Sequence, residues 1–248
     1  MRKTSMKRVV SVVAVLSIGL PVLLAHAGAQ QGGGPDPAAS WNHLWRDVLI
    51  DLFVIGSVFL AAGLYWVYRY RATRSGQLGD APKLTRMAAV AFAVIPAFLF
   101  MADDFYLAAK GWTVWNEYRN VPRDAVEVKV TGSMWSWMFE YDNGVVTTFD
   151  PDSKTGDGLV VPVGKAVVLR MTSTDVVHSF FLPEYRVKED LMPGRVTYLW
   201  FKPKAAGETI ATCAEYCGNR HSFMWAKVKA VPPAEFETWL ADMKRKGA

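Results

Sequence analysis

Two thiols, an imidazole and a thioether lie within twelve residues of one another near the C-terminal end of the chain. They belong to Cys213, Cys217, His221 and Met224, and the sequence has no other cysteine. Sulfur and imidazole ligands select soft or borderline metals such as copper over hard cations. A single-copper electron-transfer site needs one thiolate, one nearby histidine and a weak methionine ligand. The second thiolate therefore suggests that both sulfurs bridge a pair of copper ions.

A further histidine ligand is expected from outside this segment. The chain has four histidines, at positions 26, 43, 178 and 221. His26 falls in a predicted export signal, and His43 stands immediately before an apolar segment. Metal ligands commonly arrive as one distant residue plus a cluster on a single loop. His178, in the segment D-V-V-H-S-F, is therefore the expected distant ligand.

Other interpretations of the same residues remain open on chemistry alone. A disulfide between Cys213 and Cys217 suits an exported protein, but it would leave His221 and Met224 unexplained. A tetrahedral zinc site would accept two cysteines and two histidines, but not the thioether. The spacing is also C-x3-C, whereas zinc ribbons and c-type haem sites use C-x2-C. A lone methionine is most often a core residue. No C-x-x-C-H motif occurs, so no haem is expected in this chain.

The first 27 residues have the pattern of a secretory signal peptide. Four basic residues precede an apolar run at Val9–Leu24, and Ala25–Ala27 is a small-x-small cleavage site. Removal of this segment lowers the formal net charge from +5 to +1. Residues 111–248 contain seventeen basic and seventeen acidic side chains, so nothing favours nucleic-acid binding. Residues 28–43 are rich in Gly and Pro at their start and are expected to be a flexible segment.

Residues 44–110 contain two apolar segments, from about Leu44 to Tyr70 and from Met87 to about Ala109. Each is long enough to cross a bilayer core of about 30 Å at about 1.5 Å per residue. The alternative is a pair of buried helices in a soluble protein. Charge placement favours a membrane, because the connection contains a cluster of basic residues, namely Arg69, Arg71, Arg74, Lys83 and Arg86. The positive-inside rule then predicts a hairpin in a bacterial plasma membrane, with the following domain on the periplasmic face.

Residues 111–248 are predicted to form an all-β domain closed by a helix. Short apolar or β-branched runs alternate with Gly, Pro and Asp turns, which is typical of a sandwich or barrel. The predicted strands cover 126–130, 159–163, 165–171, 196–201, 209–212 and 225–231. Ala234 to Lys246 has apolar residues at helical spacing and is predicted to pack on the sheets.

With these motifs in order, the sequence resembles subunit II of the haem–copper respiratory oxidases, the cytochrome c oxidase subunit II family. The family's copper motif, C-x-E-x-C-G-x-x-H-x-x-M, is matched at every fixed position by residues 213–224. Residues 175–180 match D-V-x-H-S-[FW], and residues 193–195 match P-G-R. Residues 132–141 match the aromatic signature G-x-Q-W-x-W-x-x-E-Y in part. Met134 replaces the usual Gln, and Ser136 replaces the aromatic residue that usually stands between the two tryptophans. The resemblance extends from the first membrane helix to the end of the chain.

The resemblance implies a cupredoxin-like, Greek-key domain that holds a binuclear copper centre of the CuA type. The implied ligands are the ring nitrogens of His178 and His221, the bridging thiolates of Cys213 and Cys217, the Met224 sulfur and the Glu215 backbone carbonyl. The Glu215 carboxylate would also help hold a magnesium ion at the contact with subunit I. Trp135 would receive electrons from cytochrome c. Trp137, of the same parity on a strand, would face the same side and is the alternative acceptor.

The implied function is electron relay from cytochrome c to the haem and copper centres of subunit I, where oxygen is reduced to water. Other oxidase subunits are expected partners. Many family members carry a glutamate near the cytoplasmic start of the second helix, but residues 83–89 contain no acid. This leaves a CuA-containing nitric oxide reductase as an alternative. A membrane-anchored copper carrier is a further alternative, although a carrier needs labile ligands and no counterpart of Trp135.

Overall fold

The computed structural model describes residues 36–79 and 83–247, so the predicted signal peptide at 1–27 lies outside the described residues. Two long helices come first: α1 spans Pro37–Tyr70 and α2 spans Arg86–Arg119. Each contains a stretch that is long and apolar enough to cross a membrane, and almost none of either stretch is buried. A core helix of a soluble protein would be mostly covered. The exposed apolar surface therefore agrees with a membrane hairpin.

Both helices extend beyond the bounds expected from hydropathy. Helix α1 begins at Pro37, inside the segment 28–43 that was expected to be flexible. Proline is favoured at the first helical position, and the Asp36 carboxylate accepts a hydrogen bond from the backbone N–H of Ala38 at 3.1 Å. Helix α2 continues to Arg119, past the expected limit at 110. Hydropathy marks the apolar part of a helix, whereas capping and backbone hydrogen bonding set its ends.

The rest of the chain forms two five-stranded sheets. The strands are β1 (Val126–Ser133), β2 (Ser136–Tyr141), β3 (Val146–Thr148), β4 (Leu159–Pro162), β5 (Val167–Ser173), β6 (His178–Leu182), β7 (Val187–Leu191), β8 (Thr197–Phe201), β9 (Gly207–Cys213) and β10 (Trp225–Val231). One sheet has the order β3-β2-β1-β5-β8, and the other has the order β4-β10-β9-β6-β7. In each sheet a parallel pair joins strands that are distant in sequence, β1 with β5 and β4 with β10. The expected Greek-key, cupredoxin-like architecture is thereby confirmed.

The two sheets enclose the main apolar core. Val128 and Val130 are buried, as the alternation in β1 predicts, and Trp137, Phe139 and Phe180 are buried beside them. Phe180 packs edge-to-face against Trp137, with ring centroids 5.0 Å apart. This aromatic packing lies beneath the end of the sandwich where β6 begins and β9 ends.

Helix α3 spans Pro233–Lys246 and closes the opposite part of the core. Its Phe236 and Trp239 rings pack against Tyr141, and the indole N–H of Trp239 donates a hydrogen bond to Asp157 at 3.2 Å. The predicted closing helix is therefore present and uses its apolar face for packing.

Candidate metal centre

The predicted metal ligands meet at one end of the sandwich. His178 is the first residue of β6, and Cys213 is the last residue of β9. These strands pair directly, with Phe180 opposite Cys213. The chain then loops out through Cys217 and returns at Met224, immediately before β10. The backbone N–H of Cys213 donates to the carbonyl of Met224 at 2.9 Å, which closes the loop.

The four strongest donors lie within a few ångströms of one another. The two cysteine sulfurs are 3.8 Å apart, and both cysteines are free thiols. Nδ1 of His178 lies 3.9 Å from the Cys213 sulfur, and Nδ1 of His221 lies 3.6 Å from the Cys217 sulfur. Each histidine therefore approaches a different cysteine. His178, Cys213 and Cys217 in particular form a group compact enough to hold a metal ion.

Two weaker donors complete the group. The Met224 sulfur lies 3.7 Å from the Cys217 sulfur, and the backbone carbonyl oxygen of Glu215 lies 3.2 Å from the Cys213 sulfur. Met224 is fully buried, whereas the Glu215 side chain is exposed. The structure thus brings all six expected copper donors together, and it leaves the Glu215 carboxylate outside the group.

The two thiols need a nearby cation to ionise together. Burial and the neighbouring Cys213 raise the pKa of Cys217 to about 12. Two adjacent buried thiolates repel each other, so they lose their protons together only when a cation shares their charge. Three sulfurs and two imidazoles form a soft donor set, which fits copper and does not fit magnesium or calcium.

His178 is held by a carboxylate that lies outside the donor group. Its Nε2 atom lies 2.8 Å from Oδ1 of Asp175. Burial disfavours ionisation of Asp175. Hydrogen bonds from His178 and from the backbone N–H groups of Met134 and Val176 outweigh that cost and lower its pKa to about 2. An ionised carboxylate only accepts hydrogen bonds, so Nε2 carries the proton and Nδ1 presents its lone pair to the cysteines.

Gly132 makes room for the His178 ring. A Cβ atom at this position would lie 3.3 Å from Cδ2 of His178 and 3.1 Å from the Trp137 ring. A larger residue would therefore displace the histidine or the tryptophan. Neither Gly132 nor Asp175 received a role from the sequence. The only signals for them were their places in the two motifs that surround Trp135 and His178.

Trp135 and Trp137 occupy different environments, and the strand parity on which their expected common side was based does not apply to Trp135. Ser133 pairs with Ser136, which places Met134 and Trp135 in the turn between β1 and β2. Strand parity does not apply to turn residues. Trp137 is buried beneath His178, with ring centroids 5.9 Å apart. Trp135 is partly exposed and lies against the loop between β9 and β10, where a Cβ atom on Gly218 would be 3.3 Å from the indole.

Comparison with known proteins shows which family this chain belongs to. The sequence profile described as "Cytochrome C oxidase subunit II, periplasmic domain" matches residues 126–231. The alternative cytochrome c oxidase subunit 2 of Bradyrhizobium diazoefficiens is 31% identical over 236 residues, which cover 84% of this chain and 82% of that protein. The chain belongs to the cytochrome c oxidase subunit II family. It is thus a subunit of an oxidoreductase complex, and its family consists of copper-binding oxidase subunits.

A second relative and a solved structure are also similar to this chain. The cytochrome c oxidase subunit 2 of Cereibacter sphaeroides is 27% identical over 252 residues, which cover 86% of this chain and 81% of that protein. The crystal structure of the periplasmic domain of the oxidase subunit II of Bradyrhizobium japonicum is 36% identical. It covers 52% of this chain and 100% of that chain, with a TM-score of 0.48. The match of subunit II relatives across the helices and the β domain identifies the chain as a membrane protein with a periplasmic domain.

Proposed function

We propose that this subunit II accepts electrons from cytochrome c at a binuclear copper centre and passes them to the haem and copper centres of subunit I, which reduces oxygen to water. The observation that supports this most strongly is the convergence of four donor groups around two cysteine sulfurs 3.8 Å apart. Its relatives are named as cytochrome c oxidase subunits, which favours oxygen over nitric oxide as the terminal acceptor. The buried ligands argue against a copper carrier, which must release its metal.

The ligand assignment follows the pairings seen among the donors. His178 would bind one copper and His221 the other, each through Nδ1, because each approaches a different bridging cysteine. The Met224 sulfur lies on the side of Cys217, and the Glu215 carbonyl lies on the side of Cys213. The two metal positions would therefore differ in their weak ligand. A bound copper pair would supply a redox centre in which one electron is shared by two metals.

The protein contributes rigidity to such a centre. His178 and Cys213 lie on paired strands over an aromatic core, and Asp175 fixes the histidine ring. Ligands that stay in place when the charge of the centre changes allow fast electron transfer, because little of the surrounding structure must rearrange.

Trp135 is our choice for the residue that receives electrons from cytochrome c. Its indole is partly exposed and packs against Gly218 within the metal loop, so it links the surface to the donors. Exposed apolar side chains lie beside it, because Met134 precedes it in the turn and Phe223 lines the same surface cavity. Apolar surface around a redox site favours close contact with a partner protein.

The exposed Glu215 carboxylate is the proposed magnesium ligand at the contact with subunit I. Its backbone carbonyl faces the cysteines, while its side chain points away from them, so one residue could serve two metals. Residues 1–27 would act as a signal peptide, 44–110 as the membrane hairpin and 111–248 as the copper domain. Because the connection between the helices is basic, it would lie in the bacterial cytoplasm, and the copper domain would lie in the periplasm.

Metal analysis combined with electron paramagnetic resonance tests the central proposal. The full-length chain, loaded with copper, should bind two copper ions per molecule. Its spectrum should show hyperfine coupling of one unpaired electron to two equivalent copper nuclei. A chain that binds a single copper, or that binds zinc in preference to copper, would rule out the binuclear assignment.

A further inference from the structure

Each long helix has one end that extends beyond its apolar stretch. Helix α1 begins at Pro37, before its apolar stretch, and α2 continues to Arg119, past its apolar stretch. The described residues up to Asn42 form one compact unit with the residues from Gly111 onward. This unit contains the two sheets and α3, which together we call the β domain. The start of α1 and the end of α2 therefore belong with the β domain.

Glu117, near the end of α2, binds the start of α1. Its Oε1 atom accepts a hydrogen bond from the backbone N–H of Asp36 at 2.6 Å, and its Oε2 atom accepts one from the Ser40 hydroxyl at 2.5 Å. The first backbone N–H groups of a helix lack intrahelical partners and carry a partial positive charge, which a carboxylate stabilises. Both oxygens of one side chain thus hold the first turn of α1.

Asp36 joins this turn to the β domain. Its side chain is only 8% exposed, and Oδ2 lies 2.6 Å from the Lys204 ammonium, in the segment that follows β8. The contact is an ion pair without hydrogen-bond geometry, since Oδ2 has no hydrogen-bond partner among the described residues. Lys204 is mostly exposed, so the ion pair adds to the Glu117 contacts and does not replace them.

The end of α2 is fixed to the β domain by separate contacts. The Tyr118 hydroxyl donates a hydrogen bond to the Lys188 carbonyl in β7 at 2.9 Å, and Arg119 forms an ion pair with Glu189 at 2.9 Å. The Tyr198 hydroxyl in β8 donates to the Arg119 carbonyl at 3.2 Å. These contacts stiffen the place where the chain enters the β domain.

A domain that is attached at one point can swing about that point, whereas a second attachment stops the motion. The chain itself joins the β domain to the hairpin only at the end of α2, since α1 is followed by the connection to α2. We propose that Asp36, Glu117 and Lys204 form a clamp that supplies a second attachment, at the start of α1. The clamp holds the copper centre at a constant distance from its electron acceptor in subunit I. This positioning role rests on the proposed function, whereas the clamp contacts do not.

The Lys204 side of the clamp is remote from the metal donors. Phe201, at the end of β8, pairs with Val167 at the start of β5, whereas the other end of β5 leads to His178. The seven residues of β5 separate these two ends by about 20 Å, at about 3.3 Å per residue. Clamp variants should therefore leave the copper donors in place. Electron tunnelling weakens steeply with distance, so swinging of the domain would slow the step from copper to subunit I but not the step from cytochrome c to copper.

Hydrogen–deuterium exchange in the lipid-reconstituted oxidase complex tests the clamp directly. In the wild-type chain the backbone N–H of Asp36 should exchange slowly, because Glu117 accepts its hydrogen bond. Glu117→Gln removes the charge and one acceptor oxygen, and Lys204→Glu places a like charge beside the buried Asp36 carboxylate. Each variant should speed exchange at residues 36–40 by about 10-fold, the effect expected from loss of a hydrogen bond to a charged group.

Two further variants control for general effects of charge. Glu237→Gln removes an exposed acid on α3 and should leave exchange at residues 36–40 unchanged. Asp36→Asn combined with Lys204→Glu is a rescue, because asparagine also caps helices well and its amide donates to a carboxylate. The double variant should exchange more slowly than Lys204→Glu alone.

Electron-transfer kinetics in the same complexes test the positioning role. Photoreduction of cytochrome c starts the reaction, and copper should be reduced at the wild-type rate in every variant. Transfer from copper to haem should be several-fold slower in Glu117→Gln and in Lys204→Glu, and normal in Glu237→Gln. An unchanged copper signal in electron paramagnetic resonance shows that each variant has assembled.

The possible failures are distinguishable. Fast exchange at residues 36–40 in the wild-type complex, or unchanged exchange in both single variants, would overturn the clamp. Faster exchange with an unchanged rate from copper to haem would overturn its positioning role. A complex without a binuclear copper signal would overturn the proposed function and that role together, while slow exchange would still establish the contact. If a single variant fails to assemble, the wild-type exchange rate and the double variant still decide.

Discussion

The metal centre has two halves that are built differently. His178 and Cys213 lie on the paired strands β6 and β9, above the aromatic core. Cys217, His221 and Met224 lie on a loop whose shape depends on local hydrogen bonds, such as those from the backbone N–H of His221 to Gly218 at 3.0 Å and from that of Met224 to His221 at 3.2 Å. The strand half is fixed by the fold of the whole domain. The loop half is fixed by its own short sequence and by the metal it would hold.

Each half contributes one of the two bridging cysteines, so the loss of either cysteine should have the largest effect. Cys217→Ser replaces a soft bridge with a hard hydroxyl and should abolish the shared-electron signal. Cys213→Ser should do the same, although Cys213 lies on a strand. The measurement is the electron paramagnetic resonance spectrum of the copper-loaded chain. A wild-type spectrum in either variant would contradict the bridging role.

Trp135 contacts the loop half from the surface, and its replacement should affect rate but not metal binding. Trp135→Phe should leave the copper spectrum intact and slow electron transfer from cytochrome c by orders of magnitude, with little change in donor affinity. Stopped-flow kinetics with reduced cytochrome c measures this. Trp137→Phe is the comparison, because Trp137 is buried beneath His178. A normal rate in the first variant and a slow rate in the second would move the electron acceptor to Trp137.

Asp175 supports the strand half directly, through its contact with Nε2 of His178. Asp175→Asn should weaken copper binding by about 10- to 100-fold, since the amide no longer holds the His178 ring with a full charge. Competition with a copper chelator measures the affinity. Asp152→Asn is the control, because it breaks an exposed ion pair between Asp152 and Arg220 in the loop half and should change copper affinity little. Equal effects in the two variants would show that Asp175 has no special role.

Met224 should give the smallest effect. Met224→Leu keeps the buried volume, and such exchanges usually cost less than about 1.5 kcal/mol. The thioether is the weakest donor, so the site should survive with a shifted redox potential. Spectroelectrochemical titration measures the shift. An unchanged potential would mean that the Met224 sulfur serves only as a core residue.

The sequence predicted the loop half better than the strand half. Five of the six donors fall within residues 213–224, and their spacing alone indicates soft-metal chemistry. The link between His178 and this loop depends on the pairing of β6 with β9, which no local pattern reveals. Asp175 was visible three residues before His178, but its hydrogen bond depends on the conformation of the loop between β5 and β6.

The strands were predicted where apolar residues alternate or run together, and they were missed where polar residues interrupt them. All six predicted strands are present. Strand β7 escaped prediction because Lys188–Asp190 are charged, and β6 because it begins with His178 and Ser179. The position of Trp135 was missed for a related reason. The turn after Ser133 is set by pairing with Ser136, and the two residues within it, Met134 and Trp135, are not turn formers.

Gly218 has a consequence for the path of an electron. Its backbone φ of +116° is a conformation that glycine adopts readily, and its bare Cα lets the indole of Trp135 rest against the loop. A Cβ atom there would lie 3.3 Å from the indole, closer than ordinary contact, so a side chain would push the loop and the indole apart. Tunnelling weakens steeply across gaps and less steeply through packed atoms. The absence of a side chain at Gly218 thus keeps packed protein atoms between the surface and the metal donors.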